Sequence, residues 1–239
     1  MSLRALPDHF VATRDALHQI AFFAVSPARY KVTGSMGLRA TPGGFGTPPF
    51  GDRVARVDGD LLVHEQAGNL ATQSITSVRA ATEFFGNRYE VDWFADFHDP
   101  LHPVDPDLEL EVDEAAARAL SDWFGFGAEV LDRLRAQALE DDYVGEVQLW
   151  PEHFDVAAEL GREDRGQRAA FGASPGDGAH PDPYFYVSPW AEVDNSNPYW
   201  NDESFGGASI GYPALVDASD PGRAALDFLL EGHRILHSS

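Results

Sequence analysis

Apolar residues recur at helical spacing in three long stretches of this chain and alternate in shorter segments between them. Over Pro7 to Ala24, the residues Phe10, Val11, Leu17, Ile20, Ala21 and Ala24 fall near one stripe and predict an amphipathic helix. A second helix is expected from Asp113 to about Ala138, with Ala116, Leu120, Trp123, Phe124, Val130, Leu131 and Leu134 facing inward. Gly125 and Gly127 mark the place where that helix could kink. The last helix takes Asp220 as its cap and Pro221 in its first turn, then buries Ala224, Phe228, Leu229 and Leu236. A shorter one, capped by Ser77 and stopped by Gly86, runs to Phe85.

The segments between read mainly as strands. Arg29 to Arg39 is strand-like but interrupted at Gly34 and Gly37. Arg53–Val57 and Leu61–Glu65 flank Asp58-Gly59-Asp60 as a hairpin, and Leu70–Ile75 extends the set. Thr41 to Gly51, with four glycines and three prolines, is expected to be irregular. Asn87 to Asp113 is acidic, proline-bearing and aperiodic, and reads as a connection. Further strands are expected at Tyr143–Trp150, Glu152–Leu160, Gln167–Phe171 and Tyr184–Val187. Hairpin-spaced strands bracketed by helices predict an α+β class with antiparallel sheets and flanking helices, not a parallel βαβ order.

Two short echoes suggest an internal duplication. Ala40-Thr41-Pro42-Gly43-Gly44 parallels Ala173-Ser174-Pro175-Gly176-Asp177, and Arg79-Ala80-Ala81 with Phe84 parallels Arg223-Ala224-Ala225 with Phe228. They divide the chain into pseudo-repeated halves, 1–110 and 111–239, each helix, strands, helix; convergent turn chemistry in one continuous domain is the alternative.

Composition narrows the class of partner. At 239 residues and 44% apolar, the chain can bury one large core or two modest ones. A formal charge of -22, from 39 acidic and 17 basic residues, repels phosphate, which argues against nucleic acid and anionic membrane. A bound cation, a basic protein partner or plain solubility all fit that surface. With no cysteine there is no disulfide, thiolate metal site or cysteine nucleophile. No apolar run approaches the ~20 residues of a membrane span, and the N-terminus lacks a signal-peptide core, so a cytoplasmic location is expected.

The densest mixture of polar and aromatic side chains is Leu149-Trp150-Pro151-Glu152-His153-Phe154-Asp155. On a strand, His153 and Asp155 would share a face roughly 6.6 Å apart, where a carboxylate can steady an imidazole or join it on a metal. His180 and Asp182, in the second Pro-Gly loop, could close such a site and make His153, Asp155 and His180 a divalent-metal set. Tyr184, Phe185, Tyr186, Trp190, Tyr199, Trp200 and Phe205 concentrate aromatic surface in the same region, with Tyr184 and Tyr186 opposite Phe185. A second histidine cluster, Asp96, His98, Asp99, His102 and Asp105, is interrupted by prolines and reads as solvated linker. Glu192 to Glu203 is rich in oxygen donors but lacks the spacing of a calcium loop, so turn chemistry is expected there. No nucleotide or hydrolase motif is present: Gly43-Gly44-Phe45-Gly46 has no following Lys-Ser/Thr, and Gly34-Ser35-Met36-Gly37 misses Gly-x-Ser-x-Gly by one residue.

The segments Thr41–Phe50, Gln148–Asp155 and Gly172–Asp177, with Pro183-Tyr184-Phe185-Tyr186-Val187, together resemble an uncharacterised bacterial protein family. That resemblance implies no activity, cofactor or catalytic residue. The residues themselves favour a small-ligand-binding α+β protein without evident catalytic machinery, with His153, Asp155, His180 and Tyr186 as contacts backed by Trp150 and Trp190. No cofactor is required by this reading. A metal-dependent enzyme, with His153, Asp155 and His180 holding a water-activating divalent ion, is the second reading, and an acidic protein-interaction module the third.

Overall fold

In the computed structural model, which describes residues 3–91, 101–194 and 196–238, the chain is α+β with two antiparallel sheets. The described residues form two compact units. One comprises Leu6–Phe124 with Leu149–Phe154; the other comprises residues up to Ala5, Gly125–Gln148 and Asp155 onward. This is a more interleaved division than the expected halves, 1–110 and 111–239.

The first unit opens with α1 (Phe10–Ile20), a π-helical turn (Ala21–Val25) and α2 (Ser26–Thr33) in continuous succession. The helix therefore runs through residues 29–33, where a strand was expected. Pro27 explains the π turn: it lacks the N–H that a regular α-helix would use, and the wider turn, closed by Ser26 N–H on Ala21 O, absorbs the change of register. Gly34, at φ 73, then ends the helix in the left-handed conformation. Strands β1 (Arg39–Thr41), β2 (Gly44–Gly46), β3 (Arg53–Asp58), β4 (Leu61–Gln66) and β5 (Asn69–Ser74) follow as a meander with sequential neighbours.

The glycine-rich stretch expected to be irregular thus contains β2. Pro42-Gly43 is the two-residue turn of the β1–β2 hairpin, with Gly43 at φ 81. A Cβ on Gly46 would overlap Arg56 across the β2–β3 pair, so the missing side chains at these glycines permit close approach rather than disorder. The predicted hairpin around Gly59 forms, and Ser77 Oγ accepts Ala80 N–H at 3.2 Å to cap α3 (Val78–Phe84). Deep in this unit Phe45, Phe124 and Phe154 pack edge to face, at ring separations of 6.3, 5.2 and 5.1 Å.

The helix α4 (Glu114–Arg135) is one uninterrupted element that contains Gly125 and Gly127. Its first half belongs to the first unit and its second half to the other. After it come β6 (Tyr143–Val144), β7 (Gln148–Trp150), β8 (Asp155–Gly161), β9 (Ala169–Ser174), β10 (Tyr184–Pro189), β11 (Ala208–Gly211), α5 (Tyr212–Val216) and α6 (Pro221–Ser238). The second sheet runs β11-β10-β9-β8-β6. On one face, the cross-strand lines Val156–Ala173–Phe185–Ile210 and Ala158–Phe171–Val187–Ala208 are apolar. Gly127 lets α4 close on this face, because a Cβ there would press on that of Ala173 at 2.6 Å. Phe126 meets Phe185 edge to face at 5.7 Å, and His233 of α6 lies 6.3 Å from Phe171.

The Pro-Gly echoes occupy different structures. The first is a tight hairpin turn; the second, Pro175-Gly176, begins a longer connection from β9 to β10. The two sheets likewise differ in strand order, and a duplication is not confirmed. Among the described residues, no helix is long and apolar enough to cross a membrane.

Candidate functional site

The opposite face of the second sheet is polar. Ala157–Gly172–Tyr186–Ser209 form one cross-strand line on it, and Ser174–Tyr184–Gly211 the next. Asp155, two residues before Ala157 on β8, shares this face by the alternation of the strand. Gly172 is essential to the arrangement: a Cβ there would overlap the Tyr186 ring, so the glycine lets the ring lie flat across β9. From that position the Tyr186 hydroxyl donates to Asp155 Oδ2. Asp155 is only 3% exposed, which makes this hydrogen bond one partner of a buried carboxyl group.

The cluster continues through the β9–β10 loop. Tyr184 lies 6.1 Å from Tyr186, ring to ring, and its hydroxyl donates to Asp177 Oδ2 at 2.6 Å. His180 packs on the Tyr184 ring at 4.6 Å and sets Nε2 3.0 Å from Asp202 Oδ2. Phe205 approaches Tyr186 at 5.9 Å. The loop is shaped locally: Asp177 Oδ1 accepts the N–H groups of Ala179 at 2.7 Å and His180 at 2.8 Å. Asp177 and the partly exposed His180 give the cluster a solvent-facing side, whereas Asp155 and Asp202 are buried.

Ionisation follows from these contacts. Burial opposes the charge on Asp177, but hydrogen bonds from Tyr184, His180 N–H and Ala179 N–H outweigh it and hold its carboxyl below the usual range. Asp202 is likewise desolvated yet held down by Ser204 and by its other donors. Burial, reinforced by the negative charge of Asp155, pushes the Tyr186 hydroxyl well up, and burial with Asp177 does the same for Tyr184. Both tyrosines are therefore neutral donors at physiological pH.

The expected contacts are only partly brought together. Asp155 and Tyr186 touch, and Tyr184 links them to His180. His153 does not share a strand face with Asp155. Residues 151–154 form a turn closed by Phe154 N–H on Trp150 O at 2.7 Å, Phe154 has φ 55, and the strand starts only at Asp155. Pro151 supplies the physical reason, since it favours a turn over a strand entry at that point. His153 is exposed, and Trp150, half-buried, belongs to the first unit. Trp190 is 53% exposed and, with Tyr143, brackets the Arg168 guanidinium at 4.4 and 3.9 Å. Asp182 is exposed.

Other sequence candidates resolve into local structure. In the acidic stretch, Asp194 caps Ser196 N–H at 2.9 Å and Asn197 caps Tyr199 N–H at 3.0 Å, the expected turn chemistry. Of the histidine-rich linker, Asp96, His98 and Asp99 lie outside the described residues; His102 is exposed. An open groove of about 210 Å³ in the first unit is bordered by Pro49, Arg53, Glu65 and Leu70.

One set was missed. Asp142, His233 and His237 bring three potential ligand atoms within 4.8 Å of one another. Its signal was two histidines four residues apart on a correctly placed last helix, a spacing that puts both rings on one face. No family model, curated protein or solved structure matches the chain, so these geometries carry the functional reading.

Proposed function

We propose that this chain binds a small organic cation on the polar face of its second sheet, without chemistry of its own. The observation that carries the reading is the convergence of Asp155, Asp177 and Asp202 with the rings of Tyr184, Tyr186 and Phe205. Carboxylates offer acceptors to an ammonium group, and aromatic faces attract its charge, by about 0.5–2 kcal/mol for each well-placed ring. The tyrosine hydroxyls and the loop N–H groups keep the acidic cluster oriented, so a ligand would meet a preset arrangement. The acidic surface draws cations towards it.

Among the described residues of this face, no nucleophile and base are paired as an acyl-transfer or hydrolytic site requires, which is why binding is preferred to catalysis. A thermal-shift panel tests this directly, with putrescine, choline and benzylammonium against glucose and benzoate as neutral and anionic controls. The cations are expected to raise the midpoint of the wild type and not of Asp155→Asn. Equal responses to cations and benzoate, or an unaltered response in Asp155→Asn, would contradict it.

A further inference from the structure

We infer that Asp142, His233 and His237 form a second site, separate in function from the sheet face, for a divalent first-row transition-metal ion such as Zn²⁺. Asp142 Oδ2 lies 2.8 Å from His233 Nε2, and Oδ1 lies 2.9 Å from His237 Nε2. The carboxylate side chain is 1% exposed, and the imidazoles are 9% and 15% exposed. Two imidazoles and one carboxylate are a ligand set that zinc and its neighbours accept, with room for water or another ligand in the remaining position.

The second nitrogen of His237 strengthens the assignment. Nδ1 lies 2.9 Å from the backbone carbonyl of His233, which can only accept, so Nδ1 carries the hydrogen. The Nε2 atom, facing a carboxylate oxygen, then needs a positive centre between the two. A second hydrogen provides one; a metal ion provides another. A ligating imidazole whose far N–H is held by a backbone carbonyl is the usual outer-shell arrangement of a metal site.

Position and spacing agree. Both histidines sit in the last turns of α6, where the helix dipole is negative and favours a cation. Asp142 is oriented by accepting Leu139 N–H at 2.9 Å. Metal bonds of about 2.0–2.2 Å in tetrahedral geometry set ligand atoms about 3.3–3.5 Å apart. The present pairs would therefore open by roughly half an ångström, within the reach of small side-chain rotations. Arg162, the neighbouring cation, has its charge matched by Asp141 at 3.3 Å and Asp164 at 2.8 Å.

The full chain, stripped with chelator and dialysed, should be titrated with Zn²⁺ by calorimetry and with Co²⁺ by visible absorption. The expected result is one equivalent per chain, with a Co²⁺ ligand-field band that Zn²⁺ bleaches. His237→Gln, which keeps a polar side chain at this partly buried position, should weaken binding at least tenfold and dim the band. His233→Gln should do the same, and circular dichroism will identify any variant that has lost its fold. Because Asp142 also caps its own turn, the histidine variants are the decisive ones. Absence of stoichiometric uptake, or unchanged affinity in folded His237→Gln and His233→Gln, would overturn the site.

Discussion

The two faces of the second sheet share strands, register and twist, yet they solve different problems. One face is built from Val156, Phe171, Ala173, Phe185 and Val187 and is covered by helices, so its residues are chosen by volume. The other places Asp155, Ser174, Tyr184 and Tyr186 among small neighbours, and its residues are chosen by where their polar atoms point. On the proposed reading, one set of strands separates stability from recognition. Substitutions on the first face should cost folding energy and leave ligand response intact, and those on the second should alter ligand response at a smaller cost in folding energy.

The largest effect belongs to the apolar face. Phe171→Ala removes a fully buried ring and should cost about 3–5 kcal/mol in urea unfolding, with the midpoint shift on adding a cation unchanged. A cost under about 1 kcal/mol would remove Phe171 from the core. Phe228, by contrast, was expected among the core residues of the last helix but is half-buried against Tyr199, at 5.3 Å, and should cost less.

Acid sensitivity comes next and separates the polar face from a third region. In the first unit His18 stacks on Phe154 at 5.0 Å and lies 2.9 Å from Pro151 O; burial pushes its pKa down to about 4. Since the unfolded chain takes up this proton near pH 6.5, stability is fully present above that value and falls as pH drops from 6.5 to about 4. The loss is at most about 3 kcal/mol, because the ring keeps partial solvent contact. His18→Phe, which retains the stack, should flatten this window in pH-dependent unfolding. Asp177 and Asp202 act at lower pH: their depressed ionisation stabilises the fold above the ordinary carboxylate range and is lost below it.

Two smaller changes test the polar face itself. Gly172→Ala forces a methyl group into the Tyr186 ring and should cost about 1–3 kcal/mol while displacing the hydroxyl from Asp155, so cation response should fall as well. Tyr186→Phe keeps the ring and deletes one donor to a buried carboxyl group, for about 1–2 kcal/mol in unfolding experiments. If either variant binds cations as the wild type does, the two faces are not divided in the way described.

Much of the fold was legible because its signals are local. The Gly59 hairpin, the Ser77 and Asp220 caps and the opposition of Phe185 to Tyr184 and Tyr186 all depend on a few adjacent residues. The failures came where a local signal had two structural uses. Glycines at 43–46 read as a loop but serve a close strand pair, and the polar residues of 29–33 read as a strand but continue a helix around Pro27. The candidate site was half legible for the same reason. Strand alternation identifies the face of Tyr186, but the strand read from Glu152 begins only at Asp155, which leaves His153 in the preceding turn. The pairing of Asp142 with His233 and His237 joins residues 91 and 95 positions apart, a proximity that no local pattern encodes.

The most direct test of the account is a calorimetric titration of benzylammonium into three proteins: wild type, Asp155→Asn and His153→Ala. Saturable binding is expected for the wild type and for His153→Ala, and at least a tenfold loss for Asp155→Asn with its fold retained. Equal binding to folded Asp155→Asn, or loss of binding in His153→Ala alone, would contradict it.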